Sequence, residues 1–464
     1  MRLLRGKDGR WLHDHGGERE AFLSRSVSYE TGWRLSSPAP PRPDRRTPPS
    51  AEAIAGFTRF YASTVLDYVR SLPEDALDPV VDALAQTIAS ERSTLYVFGN
   101  GGSHAIARHL EYALRARFKG LHGVRVNCGV DYHSAQACAA ADGYDSIFET
   151  VLRSEHAGPD DLVIFISGSG DSDNLLHAAA FCRERGIHTL SFAGFDGGKI
   201  TRLEATDVPF VARVPDQQIA EDIIQVLLRV AVDLAYGRCV GEDGSAQEAV
   251  SDYSRLLEAS LDRIEPAWLE RVAAGVCSAF FAGRTVFLLA PEGAPLSVSA
   301  EHTAHNFNWD AVYKIPGAPP RHIRSTPTCC DYTGIGNDRL TPGIVTWQQL
   351  DCAASGDVLI LFVEDLESEI VERVAAVAED AGVAIYALAG RGEPSSAVDV
   401  MSLESRVPGV LADVGQMCGH MLGRVIHMRL AQAIDPDSLA GGHEAYLIDN
   451  DLAQRRLLDV LAGL

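Results

Sequence analysis

Two glycine- and serine-rich loops hold the residues of this chain best suited to binding an anion. The first is Phe98-Gly-Asn-Gly-Gly-Ser-His104, which follows the apolar run Leu95-Tyr-Val-Phe98 and opens a helical pattern from Ser103 to Phe118. Glycines let a backbone approach a ligand closely, and the unpaired N–H groups of a helix start point at it. The second, Ile166-Ser-Gly-Ser-Gly-Asp-Ser-Asp-Asn174, lies about 65 residues on, again between an apolar strand (Leu162-Val-Ile-Phe-Ile166) and a helix. Its hydroxyls at Ser167, Ser169 and Ser172 stand beside backbone amides, a combination that suits a phosphate monoester. The expected phosphate-binding set is therefore Asn100, Gly101, Gly102, Ser103, Ser167, Ser169 and Ser172.

A second set of residues can move protons. In Ser299-Ala-Glu-His-Thr-Ala-His-Asn-Phe-Asn-Trp309, His302 and Asn306 are four apart, as are Glu301 and His305, while His302 and His305 are three apart. On a helix one face then presents two imidazoles. Further on, Gln416, His420 and His427 form one stripe at spacings of four and seven. Imidazoles suit Zn, Ni or Fe and relay protons near neutral pH. The same spacings also fit polar residues that pack helices together. The expected reacting residues here are His302, His305 and His420, with His302 and His420 as candidate ligands for a divalent metal such as Zn.

The elements that must position these residues alternate. Apolar runs at 94–98, 123–127, 161–166, 187–193 and 208–212 read as strands between helical patterns, which predicts a doubly wound parallel sheet. Helices are expected over 51–92, 217–236 and 246–277. A second unit looks like a diverged copy. Thr285-Val-Phe-Leu-Leu-Ala290 mirrors the run from Thr94, Asp357-Val-Leu-Ile-Leu-Phe362 mirrors that from Asp161, and Gly382 to Gly390 mirrors Gly186 to Gly194, at offsets of 191, 196 and 196. Near-constant offsets point to duplication. The fold class is α/β, with two tandem doubly wound parallel sheets of flavodoxin-like form and flanking helices. The chain divides into an extended arm or linker (1–50), a first unit (51–240), a helical connection (241–280), a second unit (281–434) and a helical tail (435–464). Where the first unit has its serine loop, the second has Val363-Glu-Asp-Leu-Glu-Ser-Glu369. Carboxylates there would repel a phosphate, so no phosphate is expected at that position.

Composition narrows the class. A chain of 464 residues with net charge −22 lacks the basic balance of a nucleic-acid binder. Nine cysteines without CxxC pairs suit a reducing cytoplasm, and no apolar stretch approaches the length of a membrane span. Only Lys7, Lys119, Lys199 and Lys314 are present, which leaves the last 150 residues without a Schiff-base lysine.

The segments GNGGSHAIARHL, ISGSGDSDN and RGIHTLSFAGFDGGK resemble the sugar isomerase (SIS) family, and within it the sedoheptulose-7-phosphate (phosphoheptose) isomerases, over roughly residues 55–235. The resemblance implies a phosphorylated sugar as ligand and both loops as its phosphate site. It also implies a metal held by a His and a Glu four apart and by a Gln and a His eight apart, with that Glu and closing His transferring protons between C1 and C2. Here the sequence departs from the family. His109 keeps the first position, which makes it, with His302 and His420, a candidate ligand for a metal such as Zn, and makes it and Glu221 the first unit's expected reacting residues, but the family's Glu position is Ala113. Glu111 is turned about 200° from His109 on a helix. The closing pair reads Ile224 with Val232 or Gln225 with Asp233. The expectation is a ketose–aldose isomerase for a sedoheptulose-7-phosphate-like substrate, with a composite site whose phosphate loops come from the first unit and whose histidines come from the second. The competing expectation is a catalytically inactive sugar-phosphate-binding scaffold or regulator. Paired units imply a homo-oligomer, dimer or tetramer, with no nucleic-acid or membrane partner.

Overall fold

In the computed structural model, the described residues are the strands Leu3–Arg5 (β1) and Trp11–His13 (β2) together with residues 51–434, apart from positions 91, 122–123, 130–131, 243, 314, 316, 326–332, 334–341 and 394. The rest of the N-terminal arm and the tail over 435–464 lie outside the described residues. β1 and β2 form a small antiparallel hairpin.

Two five-stranded parallel sheets carry the rest. In the first, β3 (Leu95–Gly99), β4 (Val126–Asn127), β5 (Leu162–Ser167), β6 (His188–Gly194) and β7 (Val208–Ala212) are ordered β4-β3-β5-β6-β7. In the second, β8 (Thr285–Leu289), β9 (His322–Arg324), β10 (Val358–Asp365), β11 (Ala384–Arg391) and β12 (Val398–Ser402) are ordered β9-β8-β10-β11-β12. Strand for strand the two orders are the same, the flavodoxin-like winding whose ligands lie beyond the carboxyl ends of the strands. The predicted architecture is the one observed.

Both faces of each sheet are covered, so the central strands are largely apolar. Alternation along them separates two cores. Leu95, Val97, Leu162, Ile164 and Ile166 face inward with Val286, Leu288, Val358 and Ile360 into one core shared by both halves. Tyr96, Phe98, Val163 and Phe165 face an outer layer on one side, and Phe287, Leu289, Leu359 and Leu361 face another on the far side.

The duplication extends to hydrogen bonds. Asp161 accepts from the backbone N–H of Thr94 (2.7 Å) and Gly158 (2.9 Å), and Asp357 accepts from Thr285 and Ala354 (2.8 Å each). Each carboxylate thus ties the start of its sheet's first strand to the turn entering the third.

Two expectations change. The helix expected over 246–277 is two helices, Ala246–Leu261 and Pro266–Phe281, because Pro266 has no N–H to continue a helix and instead starts one. These helices do not merely connect. Tyr253, Leu257, Trp268, Leu269 and Val272 are buried in the shared core, as the opening helix Ala51–Arg70 buries Phe57, Tyr61 and Val65. The helix expected around Ser299–Trp309 is α-helical over Leu296–Asn306 and widens to a π-helix over Phe307–Tyr313.

Replacing Asp357 by Ala removes two charge-assisted hydrogen bonds at the root of the second sheet. The expected loss is about 3 kcal/mol, measured as a shift of the urea midpoint to lower concentration, with a similar shift for Asp161→Ala.

Candidate active site between the two halves

The site is built where four helices meet. The Gly102–Phe118 helix begins directly after β3 with the first loop as its start. The Gln217–Val240 helix closes the first sheet, its Asp216 side chain capping the Ile219 N–H. Helix Leu296–Asn306 follows β8, and helix Pro408–Ile434 closes the second sheet.

Three buried side chains from these helices converge: Glu221 of the first half and His302 and His420 of the second, with one ligand atom from each within 4.8 Å of the others. Hydrogen bonds fix which ring nitrogens face the centre. Asp222 can only accept, so the Gln416 amide nitrogen donates to it (2.9 Å), leaving Gln416 Oε1 toward His302 Nδ1 (3.0 Å). His302 Nδ1 therefore carries the proton, and its Nε2 presents a lone pair. His420 Nδ1 faces Asp222 at 3.1 Å, so it too donates and turns Nε2 inward, 3.7 Å from Glu221 Oε2. Neither Nε2 has a hydrogen-bond partner. Tyr61 donates its hydroxyl to the same Asp222 at 2.5 Å.

The electrostatics follow from burial and these contacts. Burial raises Glu221 to about 7, against the opposing charge of His420 and a 3.1 Å hydrogen bond from Gln217. Burial also pushes His302 well below the usual histidine range, and the nearby His420 adds to this. Burial pulls His420 down as well, but the charge and hydrogen bond of Asp222, with the charge of Glu221, outweigh it and hold its affinity above normal.

Both glycine-rich loops abut this group. A Cβ on Gly102 would lie 2.6 Å from Glu221 Oε2 and 2.8 Å from His302 Nε2, so only glycine leaves these atoms their places. His305 stands over Gly101, where a Cβ would come 3.4 Å from its Nε2, and its side chain is exposed at the rim. In the serine loop the Ser167 hydroxyl accepts from Gly170 N–H at 3.0 Å and lies 3.4 Å from the Ser172 hydroxyl, while Ser169 accepts from Asp171 N–H. Gly168 packs against the side chain of Gln217, the residue that bonds Glu221. The loop's own carboxylates are matched: Asp171 accepts from Lys199 N–H and faces Arg202, and Asp173 pairs with Lys199. Asn100 is engaged otherwise, in a two-way amide pair with Asn174 at 3.0 Å. In the second half, the Glu292 carboxylate accepts from Glu364 and Asp365 N–H, so the protein's own anion holds the backbone donors at the end of β10.

His109, expected among the reacting residues and metal ligands, does not join the three. It lies seven residues beyond Gly102, about two turns down the helix. There it is buried beside Arg229 and held at about 3, first by burial and then by that guanidinium. Glu111, turned to the opposite face, pairs with Arg108 and Arg115. A cleft of about 710 Å³ beside β4 is lined by His104, Arg108, Glu111, Arg115 and Arg125 and by none of the three converging residues.

Sequence reasoning missed Asp222 and Tyr61. The available signal for Asp222 was the pair Glu221-Asp222 in the middle of the otherwise apolar run Ile219 to Ile224.

The donor set fits a divalent cation. Two buried, unpartnered imidazole nitrogens and one carboxylate are an open three-ligand set, and Asp222 and Gln416 fix the tautomers from behind.

Known proteins match in two ways. A family model described as SIS domain matches residues 60–194. The phosphoheptose isomerase of Geotalea daltonii is 33% identical over 167 residues, 35% of this chain and 84% of that protein. The phosphoheptose isomerase of Paramagnetospirillum magneticum is 36% identical over 155 residues, 32% of this chain and 80% of that protein. Solved structures cover both halves and show the shared fold. The C-terminal domain of glucosamine-fructose-6-phosphate aminotransferase from Francisella tularensis superposes with TM-score 0.55 at 12% identity, covering 82% of this chain and 97% of that one. Tagatose-6-phosphate ketose/aldose isomerase from Escherichia coli gives 0.51 at 14% identity, covering 84% and 97%. The chain belongs to the SIS-domain family, through a first half related to the phosphoheptose isomerases.

Proposed function

We propose that this protein is a ketose–aldose isomerase of phosphorylated sugars, acting on a sedoheptulose-7-phosphate-like substrate at one composite site. The observation that carries the reading is the convergence of Glu221, His302 and His420, drawn from both halves, on the glycine of the first phosphate loop. The relatives named above support the substrate class.

The serine loop and the first loop hold the phosphate through backbone N–H groups and hydroxyls, which places the sugar's carbonyl end toward Glu221. Isomerisation moves a proton between C1 and C2 through an enediolate, with no net redox change. Glu221 suits the base, because an affinity near 7 lets it take and return a proton at neutral pH. The Nε2 atoms of His302 and His420 face the enediolate oxygens, held there by Gln416 and Asp222. A divalent cation such as Zn would be held by Glu221, His302 and His420 and would polarise the carbonyl oxygen. His305 at the rim is placed to exchange protons with solvent.

The test is deuterium exchange in D₂O with a panel of five- to eight-carbon ketose and aldose phosphates, with and without divalent metal. Label at C1 or C2 is expected for the wild type. Glu221→Gln, His302→Ala and His420→Ala should each lower the rate at least about 100-fold. Binding of a sugar phosphate by calorimetry without exchange would instead establish the scaffold reading, which the change of the family's Glu position to Ala113 favours.

Gly102→Ala is expected to cut exchange by a similar factor while leaving the melting temperature within a few degrees. Its methyl displaces Glu221 and His302 rather than core residues.

Folding raises the affinity of Glu221 from 4.5 to about 7, so its contribution to stability is full below about pH 4.5 and lost as pH rises through 7. In chelator-treated protein, the stability of wild type relative to Glu221→Gln should therefore fall by on the order of 3 kcal/mol between pH 4 and 8, as measured by urea unfolding across that range.

A further inference from the structure

The helices that frame the reacting group recur one repeat away. Tyr61, Asp222 and Gln225 have counterparts at Tyr253, Asp413 and Gln416, offsets of 192, 191 and 191. The contacts recur with them, exchanged between the halves. Where Asp222 of the first half accepts from Tyr61, Gln416 and His420, Asp413 of the second half accepts from Tyr253, from Gln225 at 2.8 Å and from Arg229 at 2.8 Å. His420 and Arg229 are again 191 apart, and His302 and His109, one on each helix that follows a first loop, are 193 apart. The two clusters are therefore related by an approximate two-fold axis between the halves.

They differ at two positions. Arg229 stands where the reacting group has His420, and it forms a buried ion pair with Asp413. Ala412 stands where it has Glu221, at the same offset of 191. What is left over fits the relation. His109 has no partner at either ring nitrogen, and Gln225 Oε1 has none, whereas their counterparts His302 and Gln416 bond each other. These unpaired residues line a void of about 10 Å³ together with Ala113, Leu228 and Arg229.

We infer that the Tyr253–Asp413–Gln225–His109 cluster is a second, latent divalent-cation site, a twin of the reacting group closed by the Arg229 guanidinium and lacking its carboxylate. It rests on the reading of Glu221, His302 and His420 as a cation-binding group. Arg229 neutralises Asp413 with a fixed charge, so the twin holds the two closing helices together and excludes a cation. The chain then carries one open site for its two halves.

The test is the zinc content of the full chain after gel filtration from excess zinc. Arg229→His with Ala412→Glu restores both missing ligands and should add one zinc per chain to the wild-type count. The added zinc should persist when His302 and His420 are changed to Ala. Where Ala412→Glu costs the fold, Ala113→Glu brings the carboxylate from another wall of the void. A folded double variant whose zinc content equals that of wild type overturns the latent site. A wild type without zinc removes the cation from the native group instead, so the two readings fail separately. Asp413→Asn gives an independent check. It should lower the melting temperature and leave the deuterium-exchange rate unchanged, whereas Asp222→Asn should lower exchange at least 100-fold. Loss of exchange in Asp413→Asn at unchanged stability would also overturn the assignment.

Discussion

The arrangement depends on one buried carboxylate. Asp222 lies in the closing helix of the first half, out of water, and a charge in that setting is tolerated only when its oxygens are saturated with donors. Its three donors come from two separate stretches: Tyr61 of the opening helix, and Gln416 and His420 of the second half's closing helix. Satisfying Asp222 therefore sets the angle and register of the two closing helices. It also decides which nitrogen of His420 faces inward and, through Gln416, which nitrogen of His302 does. The inward-facing Nε2 atoms are a consequence of this packing.

That constraint explains why the first loop is so short of side chains. With His302 and Glu221 fixed from behind, the start of the Gly102–Phe118 helix comes within contact of both, and Gly102 is the point of contact. The glycines of the serine loop act in the same way: Gly170 packs backbone to backbone on Gly197 and Gly198, and its N–H donates to the Ser167 hydroxyl, which lies 3.4 Å from that of Ser172. The negative charge of the chain as a whole does not oppose an anion here, because Lys199 and Arg202 engage the acidic residues of the loop.

Much of the framework was legible in the sequence. Strands buried on both faces carry long apolar runs, so β3, β5, β8, β10 and β11 announce themselves. The edge strands β9, only His322–Arg324, and β12, with Asp399 inside it, do not, because half-exposed strands keep polar residues. At the site, His302, His420 and Glu221 were legible as an inventory, since imidazoles and a carboxylate are uncommon on buried helix faces. His109 was misplaced because family position suggested a role that its neighbour Arg229 has taken away. Tyr61 was not legible, and Asp222 was legible only as half of an acidic pair, without its role. An Asp or a Tyr in a helix reads as surface or core until the partner 161 or more residues away is known.

The unequal sharing of chemistry between similar halves has a physical reason. In a two-fold pair of identical subunits every residue serves both sites, so a change that improves one site alters the other equally. A fused pair is free of that constraint. Here the first half keeps both glycine- and serine-rich loops and Glu221, and the second keeps both inward-facing imidazoles. The second half's loop instead carries Glu292 across the backbone donors of Glu364 and Asp365. Arg229 then substitutes a permanent positive charge for a titratable histidine beside Asp413. A buried Asp paired with Arg stays saturated at any ordinary pH, whereas one paired with histidine is saturated only in one protonation pattern. The cluster around Asp413 is thus held at the seam by a fixed ion pair, while the cluster around Asp222 keeps a titratable imidazole.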